Sequence, residues 1–425
     1  MPDRASVAYF GAGPSALPTS VLETAAASLL NHNGSGLSLV EQSHRSALSG
    51  QILQNAKDSF LKIINATADT HTVLFMAGGG TLQFSAVVYN LFTAWALKNP
   101  ERAQGGERGV CEYLVTGGWS SKAAEEAKRL VGEENVNVVF DSRNYHHAGE
   151  AKKFGNIPDS SEWKGNLKAG KDSAFVYFCD NETVDGVEFP KGSPVDVLGQ
   201  DPDRIIVADM SSNILSRTFD ASKFGVVFAG AQKNVGSTGV TIVLLRNDIL
   251  SLLASGGSLP PKLTPLIPVT PVMMHYPTIS KAGSLYNTLP VFDVYIAGLT
   301  LTKLLQRDES GNTALAQQEA ESDLKAKLLY DVLDKYENIY HVVPAKSVRS
   351  RMNICFRIKA PGDEAKFIKG GEEIGLLGLK GHRSVGGIRI SNYNAVSVES
   401  VTKLAQYLEE YAKAVLRGSQ PRAKL

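Results

Sequence analysis

Short apolar runs that alternate with helix-like stretches constrain the fold of this chain more than any other feature. The runs are nearly continuous in apolar residues, which is typical of strands that are covered on both faces of a sheet. They cover residues 73–76, 112–115, 136–140, 174–178, 205–208, 226–229 and 240–245. Helix-like stretches such as 81–97 and 121–131 lie between them. Strands interleaved with helices predict an α/β fold with a mostly parallel sheet that is flanked by helices.

The remainder of the chain predicts a second, smaller domain, as a length of 425 residues allows. A proline-rich stretch at 254–277 suits neither a regular helix nor a central strand, so we expect a long surface loop there. A long helix-like region at 291–336 follows, and mixed strand-like and helix-like segments then indicate an α+β unit. The expected organisation is an N-terminal segment at 1–19, a large domain at 20–285 and a small C-terminal domain at 286–425.

Charge and composition exclude several classes of partner. The 44 basic and 43 acidic residues leave a net charge of +1, so no overall field favours nucleic acid or an anionic membrane. No apolar run approaches the roughly 20 residues that span a bilayer, and the N-terminus shows no secretory signal. The cysteines are few (Cys111, Cys179 and Cys355) and fit free thiols in a reducing compartment. We therefore expect a soluble, cytoplasmic globular protein.

Lys233 lies where a strand is expected to end. It belongs to Gly-Ala-Gln-Lys-Asn at 230–234, which directly follows the apolar run 225–229. There its ammonium would be partly removed from water, a setting in which lysines form Schiff bases. Asp209 follows another strand-like run, 204–208. An acid that could hold a pyridinium nitrogen and a lysine that could take an aldehyde carbon indicate a pyridoxal phosphate site.

A glycine-rich turn at 78–81 connects a strand-like run to a helix-like stretch. Glycines let backbone N–H groups approach an anion closely, and the start of a helix favours negative charge. The turn lacks the Gly-Lys-Ser/Thr ending of a Walker loop and the Gly-x-Gly-x-x-Gly spacing of a dinucleotide site. Alone it could be a plain strand–helix turn. Together with Lys233 and Asp209 it predicts a cradle for the cofactor phosphate.

Two further turns follow strand-like runs and could face the same ligand. Trp119, in the first, could stack on a flat heteroaromatic ring or could simply fill the core. The second, Asn-Glu-Thr-Val-Asp-Gly at 181–186, brings polar groups to the edge where ligands bind in open α/β sheets. From the residues alone, a hydrogen-bonded turn explains it equally well.

Histidine–arginine pairs indicate an anionic substrate. His44 and Arg45 form one pair, His382 and Arg383 form another, and Arg389 follows in a glycine-rich stretch. Arginine offers a planar fork for carboxylate or phosphate, and a neighbouring histidine adds a donor. Either pair alone would more often be a solvated surface pair. Together with Arg389 they suit a small substrate that carries several negative charges.

Eight motifs, in order along nearly the full chain, resemble those of the phosphoserine aminotransferases, a family of class-V, fold-type-I pyridoxal phosphate enzymes. The motifs lie at 11–14, 41–45, 75–80, 181–186, 208–212, 229–234, 286–288 and 380–387. Gly-Ala-Gln-Lys-Asn and Lys-Gly-His-Arg are the most specific of them, because they separate this family from its class-V relatives.

The resemblance implies a role for each candidate residue. The catalytic pair would be Lys233, as the Schiff-base lysine, and Asp209, at the pyridinium nitrogen. The other cofactor contacts would come from Trp119 on the ring, Thr183 near the phenolic oxygen, Gly80, Thr81 and Gln232 at the phosphate, and Asn287 and Thr288 of the second subunit of a homodimer. The substrate would meet Arg389 at its α-carboxylate, and His382, Arg383 and the other subunit's His44 and Arg45 at its phosphate.

The reaction implied by the resemblance is a reversible amino transfer between L-glutamate and 3-phosphohydroxypyruvate, which gives O-phospho-L-serine and 2-oxoglutarate for serine biosynthesis. Two departures from the family pattern stand out. Gly11 and Ala12 replace serines of many relatives, so any hydroxyl contact from that turn is lost or replaced by backbone. Thr81 stands where many bacterial relatives have arginine, and it can still offer an N–H and a hydroxyl to a phosphate.

Other readings of the same fold stay open at this point. The chain could be a different class-V aminotransferase, or a lyase of the cysteine desulfurase kind, which would need a nucleophilic cysteine on a mobile loop. Cys355 lies instead in a strand-like run. A non-catalytic, anion-binding protein would have lost Lys233 or Asp209, and the sequence keeps both.

Overall fold

The computed structural model describes residues 3–145, 152–255, 269–307, 313–360 and 362–418. Within them the α-helices are α1 (Thr19–Ser28), α2 (Ala47–Ile63), α3 (Gly79–Lys98), α4 (Pro100–Gln104), α5 (Gly118–Val131), α6 (Ser160–Trp163), α7 (Val195–Leu198), α8 (Asn247–Ser255), α9 (Tyr276–Lys281), α10 (Val291–Leu305), α11 (Ala314–Lys335), α12 (Asp363–Glu373) and α13 (Val398–Leu416). The strands are β1 (Ala8–Tyr9), β2 (His71–Met76), β3 (Val110–Val115), β4 (Val136–Asp141), β5 (Ser173–Cys179), β6 (Asn181–Glu182), β7 (Val187–Glu188), β8 (Ile206–Asp209), β9 (Val226–Gly230), β10 (Thr241–Arg246), β11 (Tyr340–Val342), β12 (Asn353–Ile358), β13 (Leu376–Leu377) and β14 (Ile388–Ser391). No helix in these ranges is long and apolar enough to cross a membrane.

Seven strands form a central sheet in the order β2-β10-β9-β8-β5-β3-β4. Strands β9, β8, β5, β3 and β4 run parallel to one another, whereas β10 runs antiparallel to both of its neighbours. The mostly parallel α/β sheet expected from the apolar runs is therefore confirmed. Because parallel strands end at the same edge, the residues that follow β2, β3, β5, β8 and β9 gather there.

Helices cover both faces of this sheet. Phe175 and Tyr177 of β5 lie in one apolar core, together with residues of α3, α5, α8 and α9. Val176 and Phe178 of the same strand lie in the opposite core, together with residues of α2 and α10. Successive residues of one strand are thus buried on opposite faces. This is the physical reason why the strands show no apolar–polar alternation.

The C-terminal part of the chain builds a second core. Strands β11, β12 and β14 form an antiparallel sheet, and apolar residues of α11, α12 and α13 share a core with it. The N-terminus reaches this core, because β1 pairs with β13 and Phe10 is buried beside it. Helix α10 instead packs into a core of the central sheet through Val294, Ala297 and Leu301. The division at 1–19, 20–285 and 286–425 stays a proposal.

The proline-rich stretch is only partly described. Residues 256–268 of the expected loop lie outside the described ranges. The end of the stretch differs from the expectation, because α9 begins at Tyr276 with Pro277 in its first turn. Proline is tolerated there, since the N–H that it lacks would have no partner within the helix.

Candidate active site

A cavity of about 350 Å³ opens at the carboxyl edge of the central sheet. Nine of the residues expected at the site line it: Gly80, Thr81, Trp119, Thr183, Asp209, Gln232, Lys233, His382 and Arg389. All but two of them follow or end strands of the central sheet. His382 and Arg389 come from the C-terminal part of the chain. The cavity therefore lies where the two cores meet.

Lys233 reaches into this cavity from the turn after β9. Its Nζ donates a hydrogen bond to Oγ1 of Thr183 over 3.0 Å. The N-terminal segment holds its backbone, since the hydroxyl of Ser15 donates to the Lys233 carbonyl. Gly13 packs against the lysine: it has a φ of +122°, and a Cβ placed on it would lie 3.4 Å from Cγ of Lys233. The amine is therefore held at a defined place in the cavity.

Asp209 ends β8, the strand beside β9, and is only 5% exposed. Its Oδ1 accepts a hydrogen bond of 2.8 Å from the N–H of Ser211. Burial raises the pKa of the Asp209 carboxyl above its ordinary value, although the Ser211 hydrogen bond and the charge of Lys233 act in the opposite direction. Among the described residues no ion pair to Asp209 is formed. A buried carboxylate of this kind suits a cationic ligand atom.

The glycine-rich turn lies beside Asp209. Gly78 and Gly79 have φ values of +97° and +66°, which only glycine adopts easily, and α3 begins at Gly79. A Cβ on Gly80 would lie 3.6 Å from Oδ2 of Asp209, so the backbone closely approaches the acid. The first turn of a helix leaves N–H groups without partners inside the helix, and these can bind an anion. Thr81 adds a hydroxyl at the same place.

Two carboxylates, whose role the sequence did not reveal, bind the backbone N–H groups at and next to Trp119. Oε2 of Glu182 accepts from the Trp119 N–H over 2.9 Å, and Oε1 accepts from the N–H and hydroxyl of Ser120 over 2.8 and 2.6 Å. Oδ2 of Asp185 accepts from the N–H of Gly118 over 3.1 Å. Burial raises the pKa of Glu182 to about 7 and that of Asp185 to about 6. The motif at 181–186 thus supplies the site with Thr183 and also with two carboxylates that bind the start of α5.

Basic side chains from the C-terminal part of the chain also line the cavity. Nη1 of Arg389 donates to the Thr183 carbonyl over 3.5 Å. The pKa of His382 is lowered by burial first and then by the positive charges of Arg389, Arg383 and Lys122, which favours the neutral imidazole. A second cavity of about 510 Å³ shares His382 and Arg389 with the first. It adds four more cations, namely Arg143, Lys152, Lys153 and Arg357.

Five candidate residues are not brought into the cavity within this chain. They are His44, Arg45, Asn287, Thr288 and Arg383. His44 and Arg45 lie just before α2, and Asn287 and Thr288 just before α10. These four are the residues that the resemblance assigns to a second subunit. Arg383 is exposed and reaches neither of the two cavities described above.

Comparison with known proteins identifies the family. The class-V aminotransferase family matches residues 7–102 and 153–404, which is well over half of the chain. The phosphoserine aminotransferase of Saccharomyces cerevisiae is 41% identical over 412 residues, covering 97% of this chain and 98% of its own. That of Drosophila melanogaster is 37% identical over 417 residues, covering 96% and 99% of the two chains.

Solved structures agree with the sequence relatives. The phosphoserine aminotransferase of Bacillus circulans subsp. alkalophilus superposes with a TM-score of 0.78 at 33% identity, covering 96% of this chain and 98% of its own. A phosphoserine aminotransferase of Trichomonas vaginalis with bound PLP gives a TM-score of 0.77 at 34% identity, covering 95% and 100%. The chain therefore belongs to the phosphoserine aminotransferase family of the class-V aminotransferases.

Proposed function

We propose that this protein transfers the amino group of L-glutamate reversibly to 3-phosphohydroxypyruvate, giving O-phospho-L-serine and 2-oxoglutarate, with pyridoxal 5'-phosphate as its cofactor. The proposal rests on one cavity in which the amine of Lys233 contacts Thr183 and which the buried acid Asp209 also lines. Membership of the phosphoserine aminotransferase family supports the choice of substrates.

The residues of the cavity fit pyridoxal phosphate. Asp209 would hold the ring nitrogen, since a buried carboxylate without an ion pair is stabilised by a protonated partner. Trp119 would stack on the ring and Thr183 would bind near the phenolic oxygen, while Gly80, Thr81 and Gln232 would hold the phosphate. When bound, this cofactor supplies an aldehyde that takes up the amino group and a ring that accepts electrons from the deprotonated carbon.

Lys233 would move the proton. Its Nζ would accept the proton from the α-carbon of the amino acid and later give it back, acting first as general base and then as general acid. The hydrogen bond from Nζ to Thr183 would help to keep the amine within the cavity. Asp209, ionised beside the ring nitrogen, would keep that nitrogen protonated, and a protonated ring accepts electrons more readily.

The basic side chains of the cavity would favour substrates that carry two acidic groups. Arg389, within reach of the Thr183 carbonyl, would take the α-carboxylate with its planar fork. His382, whose pKa is lowered, would donate a hydrogen bond to the second acidic group. The phosphate of phosphoserine and the side-chain carboxylate of glutamate would occupy the same position in turn, so one site would serve both substrates.

A homodimer would complete the site. Asn287 and Thr288 would join the cofactor phosphate from the second subunit, and His44 and Arg45, with Arg383, would join the substrate phosphate. This assignment is supported by their position outside the cavity of their own chain. The three free, buried cysteines suit the reducing cytoplasm.

The cysteine desulfurase reading is disfavoured by the thiols. All three cysteines are buried, and Cys355 lies within β12. Burial raises the pKa of Cys355 to about 12, so its thiolate is scarce near neutral pH. A lyase of that kind needs a reactive thiolate on a loop, which none of these residues supplies.

Absorption spectra test the cofactor and the amino donor. Adding pyridoxal phosphate to cofactor-free protein should produce a protein-bound visible band, and L-glutamate should then shift that band. D-glutamate is the matched control and should leave the band unchanged. A protein that binds no pyridoxal phosphate would contradict the proposal.

A further inference from the structure

The carboxylate of Glu182 holds the backbone segment that carries Trp119. It accepts three hydrogen bonds of 2.6–2.9 Å, from the N–H of Trp119 and from the N–H and hydroxyl of Ser120. Glu182 has no exposed surface, and neither has Ser120. Water therefore does not compete for these bonds, and each of them fixes the start of α5 relative to the turn after β5.

Gly117 shows how closely the two segments approach each other. A Cβ on this glycine would lie 2.4 Å from both Cδ and Cγ of Glu182, far inside van der Waals contact. Its φ of −171° is ordinary extended backbone, so conformational freedom does not explain the glycine. The space taken by the Glu182 side chain explains it. Gly118, the next residue, differs, because a Cβ there would meet only Oδ2 of Asp185 at 3.9 Å.

The same turn positions the reactive lysine. Thr183 directly follows Glu182 and accepts the hydrogen bond from Nζ of Lys233. One short segment therefore holds Trp119 through its carboxylate and Lys233 through its hydroxyl. The two side chains lie on the walls of a single cavity, so a shift of this turn would move both.

We propose that Glu182 is a positioning residue that fixes the indole of Trp119 against the cofactor, and that residue 117 is glycine to admit its carboxylate. This inference rests on the proposed function, in which Trp119 stacks on pyridoxal phosphate. Glu182 touches neither reacting atoms nor substrate. It acts through Trp119, and its loss should change cofactor binding and the environment of the indole in the folded protein.

The adjacent glycines give a matched pair of variants. Gly117→Ala pushes the Glu182 carboxylate away without removing any charge, whereas Gly118→Ala leaves it in place. We expect Gly117→Ala to weaken pyridoxal phosphate binding about tenfold, and Gly118→Ala to bind like wild type. Glu182→Ala should match Gly117→Ala. Glu182→Gln, which keeps the volume and one acceptor oxygen, should recover part of the loss.

Indole fluorescence tests the positioning without the cofactor. The Trp119 emission of each cofactor-free variant is obtained by subtracting the spectrum of the same variant carrying Trp119→Phe. Gly117→Ala and Glu182→Ala should shift this emission to longer wavelength, and Gly118→Ala should not. A purely stabilising role would lower the melting temperature while leaving both the emission and the cofactor dissociation constant at wild-type values.

The outcomes separate the two proposals. If the folded Gly117→Ala and Glu182→Ala proteins keep wild-type emission and cofactor affinity, or if both glycine variants weaken binding equally, the role of Glu182 is overturned. If Glu182→Ala does not fold, Gly117→Ala and the isosteric Glu182→Gln decide. If wild-type protein binds no pyridoxal phosphate, the proposed function fails, and the emission of the cofactor-free variants still decides whether Glu182 positions Trp119.

Discussion

The Nζ of Lys233 and the Oγ1 of Thr183 lie 3.0 Å apart, although the two residues follow different strands, β9 and β5. The strand between these two is β8, and β8 ends in Asp209. Three adjacent strands thus deliver an amine, a hydroxyl and a buried acid to one edge of the sheet.

Replacing Lys233 removes the group proposed to move the proton. Lys233→Ala should lower turnover at least about 10²-fold, roughly the contribution of a well-placed general base. L-glutamate should also no longer produce the shift of the visible band that it produces with wild type. Lys223→Ala, which alters an exposed lysine away from the cavity, is the matched control and should turn over at the wild-type rate. Steady-state kinetics on both variants measure this, and a Lys233→Ala enzyme with wild-type kcat would contradict the mechanism.

The hydroxyl of Thr183 should contribute to turnover independently of the shape of the side chain. Thr183→Val keeps the branched side chain but removes the acceptor for Nζ, so we expect kcat to fall by about tenfold, the size of one lost hydrogen bond. Thr183→Ser restores the hydroxyl and should recover most of the rate. If the valine and serine variants have equal kcat, the hydrogen bond has no part in turnover.

The ionised carboxylate of Asp209 should lower the stability of the cofactor-free protein, although the reaction needs it. Because burial raises the pKa of its carboxyl, ionising Asp209 is less favourable in the folded state than in the unfolded state. The stability it contributes is therefore complete below the ordinary aspartate pKa, near 4, and is lost as pH rises through the raised value.

Asp209→Asn should accordingly show opposite effects on stability and activity. Without cofactor, the melting temperature of the variant minus that of wild type should increase as pH rises from about 4 to about 8, since asparagine does not ionise. Turnover should fall by about 10²-fold, because the amide cannot stabilise a charged ring nitrogen. Thermal unfolding at several pH values measures this difference in melting temperature. A difference that decreases with rising pH would contradict the prediction.

Glu182 should give the emission of Trp119 a pH dependence near neutrality. Burial, with a smaller effect from the carboxylate of Asp185, raises the pKa of Glu182 to about 7. Above this pH both oxygens of Glu182 accept hydrogen bonds, and below it one oxygen carries a proton. The neighbouring Tyr177 and Cys179 have pKa values far above neutrality and do not ionise in this range.

Fluorescence titration of the cofactor-free protein measures this effect. Wild-type emission from Trp119 should change around pH 7, whereas that of Glu182→Gln should not, although Asp185 and His382 remain in both proteins. An inflection that persists unchanged in Glu182→Gln would assign the effect to another group.

The strands and the catalytic pair could be predicted from the sequence, and the support for Trp119 could not. A strand buried on both faces leaves a continuous apolar run, and polar residues at its end, such as Asp209 after 204–208, stand out against it. The bond from Glu182 to Trp119 joins residues more than 60 positions apart on separate elements. Neither residue's local sequence contains that information, because the pairing arises only when β3 and β5 lie side by side.

The packing of α10 is a second contact that the local sequence does not predict. This helix lies in the range 286–425 that we propose as the C-terminal domain, and its Val294, Ala297 and Leu301 lie in a core of the central sheet. An apolar helix face indicates that the helix is buried, and it does not indicate which of two cores receives it. Long-range contacts decide that, and no sequence pattern within the helix records them.

The most direct test of the account is the choice between phosphorylated and unphosphorylated ketoacids. Steady-state turnover is measured with L-glutamate and either 3-phosphohydroxypyruvate or hydroxypyruvate, with the purified, cofactor-loaded protein. Because cations are proposed to bind the phosphate, kcat/KM should be about 10²-fold higher for the phosphorylated ketoacid. Equal values of kcat/KM for the two ketoacids would contradict the assignment of the site to a phosphorylated substrate.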